Sequence, residues 1–178
     1  MTLQEYFNTP ETVLPHELIY GQIRVADAPF VNHQRVLLRL AMALIDHVER
    51  SSAGEVFIAP IDVVLDRERA LVVQPDLLFV SHARLGMVQE RIYGAPDLVV
   101  EILSPHPRIG RTDERVDRFA AYGVREIWLY HQPDRRMEIL SCDGGTVVAR
   151  RSFGWGDRIE SSVLPPFTQT IGAIVDAW

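Results

Sequence analysis

Asp97-Leu98-Val99-Val100-Glu101-Ile102-Leu103 is an apolar run with one carboxylate set inside it. Such a run reads as a strand covered on both faces. Burying an unpaired carboxylate costs on the order of several kcal/mol. Glu101 therefore needs a metal ion, a basic partner or a proton. A second acid, Asp76, stands in a similar frame, Val72-Val73-Gln74-Pro75-Asp76-Leu77-Leu78-Phe79-Val80. Two carboxylates on neighbouring strands supply the hard oxygen donors of a Mg2+-dependent phosphodiesterase centre.

Pro105 and Pro107 end the Glu101 strand. A helix is predicted over about 111–122, closed by Gly123, and the strand Glu126-Ile127-Trp128-Leu129-Tyr130 follows at once. Strand, helix and strand at this spacing predict a parallel, right-handed crossover. Upstream, a strand pair is expected over 55–66 and 71–80, turning at Arg67-Glu68-Arg69, with a short helix and loop over 81–93. Asn32 is the expected cap of a helix running to about Arg50, with Leu37, Leu40, Leu44 and Val48 as its apolar stripe. Residues 14–26 read as a hairpin turning at Gly21, and a second hairpin starts near Arg136. The tail is expected to pack Leu164-Pro165-Pro166-Phe167 on the core. The result is an α/β sandwich around a mixed central sheet, in a single domain over 1–178.

Composition narrows the function classes. The chain has 178 residues, 47% hydrophobic and 24% charged, values of a globular protein with a real core. No apolar run is long enough to span a bilayer. Met1-Thr2-Leu3-Gln4-Glu5-Tyr6 lacks the basic and apolar start of a secreted chain, so a cytoplasmic protein is expected. The lone Cys142 allows no internal disulfide and no cysteine zinc site. All 18 basic residues are arginine, so chemistry that needs a lysine ammonium is closed to this chain. A net charge of −6 argues against broad adhesion to nucleic acid but leaves room for a local basic groove.

Several segments carry a family likeness: Glu17-Leu18-Ile19-Tyr20-Gly21, His33 at the helix start, Gln74-Pro75-Asp76 and Pro96-Asp97-Leu98-Val99-Val100-Glu101-Ile102-Leu103-Ser104-Pro105. Tyr122-Gly123-Val124-Arg125-Glu126-Ile127-Trp128-Leu129 and the tail around Leu164–Phe167 complete the ordered set. The chain resembles the Uma2 (DUF820) family of restriction-endonuclease-like proteins. That resemblance implies a PD-(D/E)XK core: a central mixed β-sheet flanked by helices, with an N-terminal β-hairpin and a C-terminal strand extension.

The resemblance also implies a site. Asp76 matches the Pro-Asp acid and Glu101 the acid of the second motif. The nuclease fold ordinarily carries lysine two residues after that acid, where this chain has Leu103. Uma2-like sequences carry the basic residue on the following helix, a position that falls on Arg115. Where Ser-Thr is expected after Ser-Pro, this chain has His106-Pro107; Arg111 stands where an aspartate is expected, with Asp113 as its local substitute.

On this reading Asp76, Glu101 and the carbonyl of Ile102 would ligate Mg2+ or Mn2+, which would polarise a scissile phosphate and lower the pKa of a bound water. Arg115 would stabilise transition-state charge, and Glu17 would approach the metal as an extra acid. Arg108, Arg111, Arg115 and Arg118 would form a phosphate track; the competing reading is a solvated helix face. Asp97 reads as a strand-entry acid held by backbone, and His33 and His106 as local or loop residues. The function expected is a Mg2+-dependent endodeoxyribonuclease acting on DNA, as a homodimer by analogy with restriction-type enzymes. The competing expectation is an inactive nuclease-fold module for nucleic-acid binding or protein assembly.

Overall fold

The computed structural model describes residues 1–10, 15–26, 28–103, 112–164 and 166–176. A short helix, α1 (Leu3–Phe7), begins at a capping box formed by Thr2 and Glu5. The first hairpin follows as β1 (His16–Ile19) and β2 (Gln22–Val25), turning at Tyr20 and Gly21, where φ is positive at both residues. Helix α2 (Val31–Ser51) is longer than expected and is not capped by Asn32. Phe30 is the N-cap and makes no side-chain cap, while Asn32 lies in the first turn and donates to Gln132 Oε1 at 2.8 Å. A partner distant in sequence took the side chain that local rules assign to the helix end.

The expected long strand pair is divided in two. It forms β3 (Gly54–Ile58) and β4 (Val63–Asp66), then β5 (Leu71–Val73) and β6 (Leu77–Ser81). Pro60 and Pro75 fall in the two gaps, where a residue without an N–H cannot extend a ladder. β4 and β5 pair around the predicted 67–69 turn, and β3 pairs with β6, but the two halves enter different sheets. A 3-10 helix over His82–Met87 and β7 (Ile92–Tyr93) lead to β8 (Leu98–Leu103). After α3 (Thr112–Ala121) come β9 (Glu126–His131), β10 (Arg136–Asp143), β11 (Thr146–Phe153) and α4 (Ile171–Val175).

One sheet has the order β2-β1-β5-β4-β7 and the other β11-β10-β9-β8-β6-β3. In the second, β8 and β9 are parallel and the remaining pairs antiparallel, so the sheet is mixed as predicted. The five-stranded sheet, which gathers the first hairpin, was not anticipated.

Strand alternation sorts the core into two layers. Leu98, Val100, Ile102, Trp128 and Tyr130 join the stripe of α2 and the tail residues Leu164 and Phe167. Val99, Ile127, Leu129, Leu78 and Val80 join Val116 and Phe119 of α3. Each fully buried leucine or isoleucine contributes about 1.5–3 kcal/mol. Glu101 and Asp76 fall on the alternation that faces α3, and this is what brings both acids toward Arg115.

Candidate active site

β6 and β8 are neighbours, with Leu77 opposite Val100. The ladder ends at that pair, and Asp76, the residue just before β6, lies close enough to Glu101 for its charge to be felt there. Asp76 is fixed from both sides: Ile102 N donates to its Oδ2 at 2.7 Å, and His33 Nε2 lies 3.1 Å from the same oxygen. His33 is thus part of the site, carried there by the first turn of α2. Its Nδ1 is buried without a partner among the described residues. From sequence it read as a local residue, although its place at the helix start is one of the pieces of the family likeness.

Arg115 projects from the first half of α3 and is largely buried. Its Nε donates to Glu101 Oε1 at 2.8 Å. Its Nη1 donates to both carboxylate oxygens of Glu17 at 2.8 Å, and its Nη2 reaches the Gln74 carbonyl at 3.3 Å. Glu17 is 1% exposed and also accepts from Gln74 N at 2.7 Å. It sits behind the guanidinium on β1, the strand that brings the five-stranded sheet to the site. Of the acids expected from sequence, Glu101 and Glu17 meet at the Arg115 guanidinium, and Asp76 lies near Glu101 without touching Arg115.

A second layer was missed from sequence. Gln74 Nε2 donates to Asp62 Oδ1 at 2.9 Å, and Asp62 also receives Tyr6 Oη and Arg91 Nε. Gln132 accepts from Asn32 and donates to Leu103 O at 3.2 Å, tying the start of α2 to the end of β8. Asp62 lies between two strand halves and Gln132 after a strand end, positions that carry no local signal.

The charges in this pocket do not balance. Three carboxylates, Glu17, Asp76 and Glu101, face one guanidinium and one imidazole. Burial pushes the Glu101 carboxyl up to about 8; Arg115 opposes that rise and the neighbouring Asp76 adds to it. Burial works to lower the Arg115 pKa, but Glu101 and Glu17 outweigh it and leave the guanidinium raised. Excess buried negative charge with oxygen donors fits a hard divalent cation. Among the described residues no three acid, histidine or cysteine side chains converge on one point. A cation here would draw the rest of its shell from backbone, water and substrate, as Mg2+ commonly does.

Other predicted residues lie elsewhere. Asp97 is fully buried at the opposite end of β8, held by Ser81 N, Arg84 and Arg125. Burial works to raise its pKa, but the Ser81 amide and Arg84 outweigh it and leave the carboxyl lowered. Arg118 turns toward the first hairpin, its guanidinium 6.0 Å from the Tyr20 ring. Arg115 and Arg118 thus face protein. Asp113 is exposed in the first turn of α3. His106, Arg108, Arg111, Pro105 and Pro107 lie outside the described residues. No helix among the described residues is long and apolar enough to cross a membrane.

Comparison with known proteins bears on the family and the fold. The model of the Uma2 family, described as "Putative restriction endonuclease", matches residues 3–172. A solved structure from Anabaena variabilis, described as a "putative nuclease belonging to DUF820", superposes with a TM-score of 0.81 at 17% identity. The match covers 99% of this chain and 98% of that one. At that identity the likeness concerns the fold, which is of the restriction-endonuclease-like type. A search of curated proteins finds no match.

Proposed function

The chain belongs to the Uma2 family, and on that premise we propose that it is a divalent-metal-dependent endonuclease that hydrolyses DNA phosphodiester bonds. The observation that carries the reading is the closeness of Asp76 and Glu101 beside the β6–β8 ladder, in a pocket with more carboxylate than cationic charge. Mg2+ or Mn2+ would be held by Asp76, Glu101 and the carbonyl of Ile102. In an extended strand a residue's N–H and C=O leave on the same edge. The Ile102 amide already points at Asp76, so its carbonyl leaves toward the same acid. The cation, when bound, would supply Lewis-acid polarisation of the phosphate and activation of water.

The remaining chemistry belongs to the chain. His33 and the Ile102 amide hold one Asp76 oxygen and leave Oδ1 for the cation. Arg115 fixes Glu101 through Oε1 and leaves Oε2 in the same way. Arg115 is a positioning cation for Glu101 first; its remaining Nη2 hydrogen is available to a phosphate oxygen. Glu17 positions Arg115 from behind and reaches the reaction through it. By analogy with restriction-type nucleases, which often cut the two strands of a duplex as dimers, the proposed enzyme is a homodimer.

One observation favours a second reading, a noncatalytic nuclease-fold module that binds nucleic acid or assembles with protein. Leu103 occupies the position where the fold ordinarily carries lysine, and the nitrogens of Arg115 are engaged by protein groups. Purified protein incubated with supercoiled plasmid and Mn2+ separates the two. Nicking by the wild type and not by Glu101→Ala supports the nuclease. Nicking by neither supports the module, and equal nicking by both rejects the assigned centre.

A further inference from the structure

Helix α2 buries one face against the core and leaves an apolar stripe on the opposite face. Val31, Leu38, Met42 and Ile45 are 68%, 57%, 49% and 38% exposed. Their spacing is regular. Val31, Leu38 and Ile45 recur every seven residues, and Arg35, Met42 and Glu49 recur every seven between them. That is the alternating three- and four-residue step of a helix that packs along a second helix. The buried residues Val36, Leu37, Leu40, Leu44 and Val48 lie on the other side of the cylinder, so one helix carries two seams.

We propose that this second seam is the contact surface for another copy of the chain, with the two α2 helices antiparallel and the two-fold axis near Met42. The charges at the ends of the seam favour this occupant and this direction. Arg35 lies seven residues before Met42 and Glu49 seven residues after it. They are roughly 21 Å apart along the axis at the ordinary helical rise. Neither side chain has an ion pair or hydrogen bond among the described residues. In an antiparallel pair related by a two-fold axis, Arg35 of each copy faces Glu49 of the other, twice, around an apolar centre. A parallel pair would set Arg35 against Arg35 and Glu49 against Glu49, which is repulsive. A two-fold contact requires a self-complementary surface, and this seam is self-complementary in one direction only. Because α2 also carries His33, the contact would place a candidate centre near each end of the helix pair. The contact itself rests on the seam and holds whether or not the centre cuts DNA.

The test is sedimentation equilibrium of the purified full chain across the micromolar range, with variants at exposed seam positions that leave the core intact. Wild type is expected to be a dimer. Leu38→Glu is expected to weaken it about tenfold or more, as is Arg35→Glu. Combining Arg35→Glu with Glu49→Arg is expected to recover the dimer, because the pairs re-form with reversed sign. A monomeric wild type overturns the proposal and leaves the seam to a different partner. A dimer indifferent to Leu38→Glu places the contact elsewhere and equally overturns it. Failure of the charge swap to recover association overturns the antiparallel pairing. Plasmid nicking measured on the same samples tests the candidate centre separately, since no seam variant touches Asp76, Glu101 or Arg115.

Discussion

Arg115 Nε donates to Glu101 Oε1 at 2.8 Å while the other branch of the same guanidinium grips Glu17. A helix, a central strand and the first hairpin are thereby joined through one side chain. The acid that would hold a cation and the base that would meet a phosphate are not independent groups.

Arg115→Ala is therefore expected to destabilise the fold by about 3–5 kcal/mol, because it leaves Glu17 buried without its cation and Glu101 without its hydrogen-bond donor. Urea denaturation measures it. Arg115→Lys restores charge without the forked geometry and is expected to recover only part of the loss. A wild-type midpoint in Arg115→Ala would reject the keystone role.

Glu101 makes metal-free stability depend on pH. Burial raises its carboxyl to about 8 in the folded protein, while the unfolded chain ionises it in the ordinary carboxylate range. The folded state thus keeps a proton that the unfolded state releases. This stabilising contribution is fully present below the unfolded value and is lost as pH rises through about 8. Melting temperature in chelator should fall over that window, and Glu101→Gln should flatten the fall. A cation that binds the ionised form should raise the melting temperature more at alkaline pH than at pH 6, and should do so only with Glu101 present. Identical profiles for wild type and Glu101→Gln would remove Glu101 from the account.

His33→Ala takes away one of the two groups that orient Asp76 Oδ2. Losing such an orienting partner lowers metal affinity or activity about 10–100-fold. Calorimetric titration with Mn2+ should record the weaker binding at a nearly unchanged melting temperature. Unaltered affinity would return His33 to a purely local role.

Glu126 provides a contrast outside the site. It is fully buried and accepts from Trp128 Nε1, Ser161 Oγ, Ser162 N and Ser162 Oγ. Glu126→Ala orphans the buried Trp128 indole N–H, at about 1–3 kcal/mol, and removes the acceptor of the partly buried Ser161 and Ser162 donors. The variant should lose several kcal/mol or fail to fold at all, whereas any folded fraction should retain metal binding. A small stability loss, under about 1 kcal/mol, would mean that water replaces the carboxylate.

The strand-helix-strand around Glu101, the hairpins and the core stripe of α2 were legible because each is written in consecutive residues. Glu101 itself was legible because a carboxylate inside an apolar run has few inexpensive environments. Glu126 is buried more completely than Glu101 and gave no such signal, since it opens its strand and most of its donors lie at Ser161 and Ser162. The division of the long hairpin at Pro60 and Pro75 was in principle readable. The sheet that each half would join was not.

Local order alone determined that Glu101 lies in a buried strand, that Asp76 shares its setting, and that a helix bearing Arg115 follows. Tertiary structure decided what those groups do to one another. It set Glu17 behind Arg115, brought His33 to Asp76 and closed Gln132 over the end of β8. Periodicity tells which side chains turn inward, because it is a property of one element. Which charges then meet depends on how separate elements cross, and no stretch of consecutive residues encodes that.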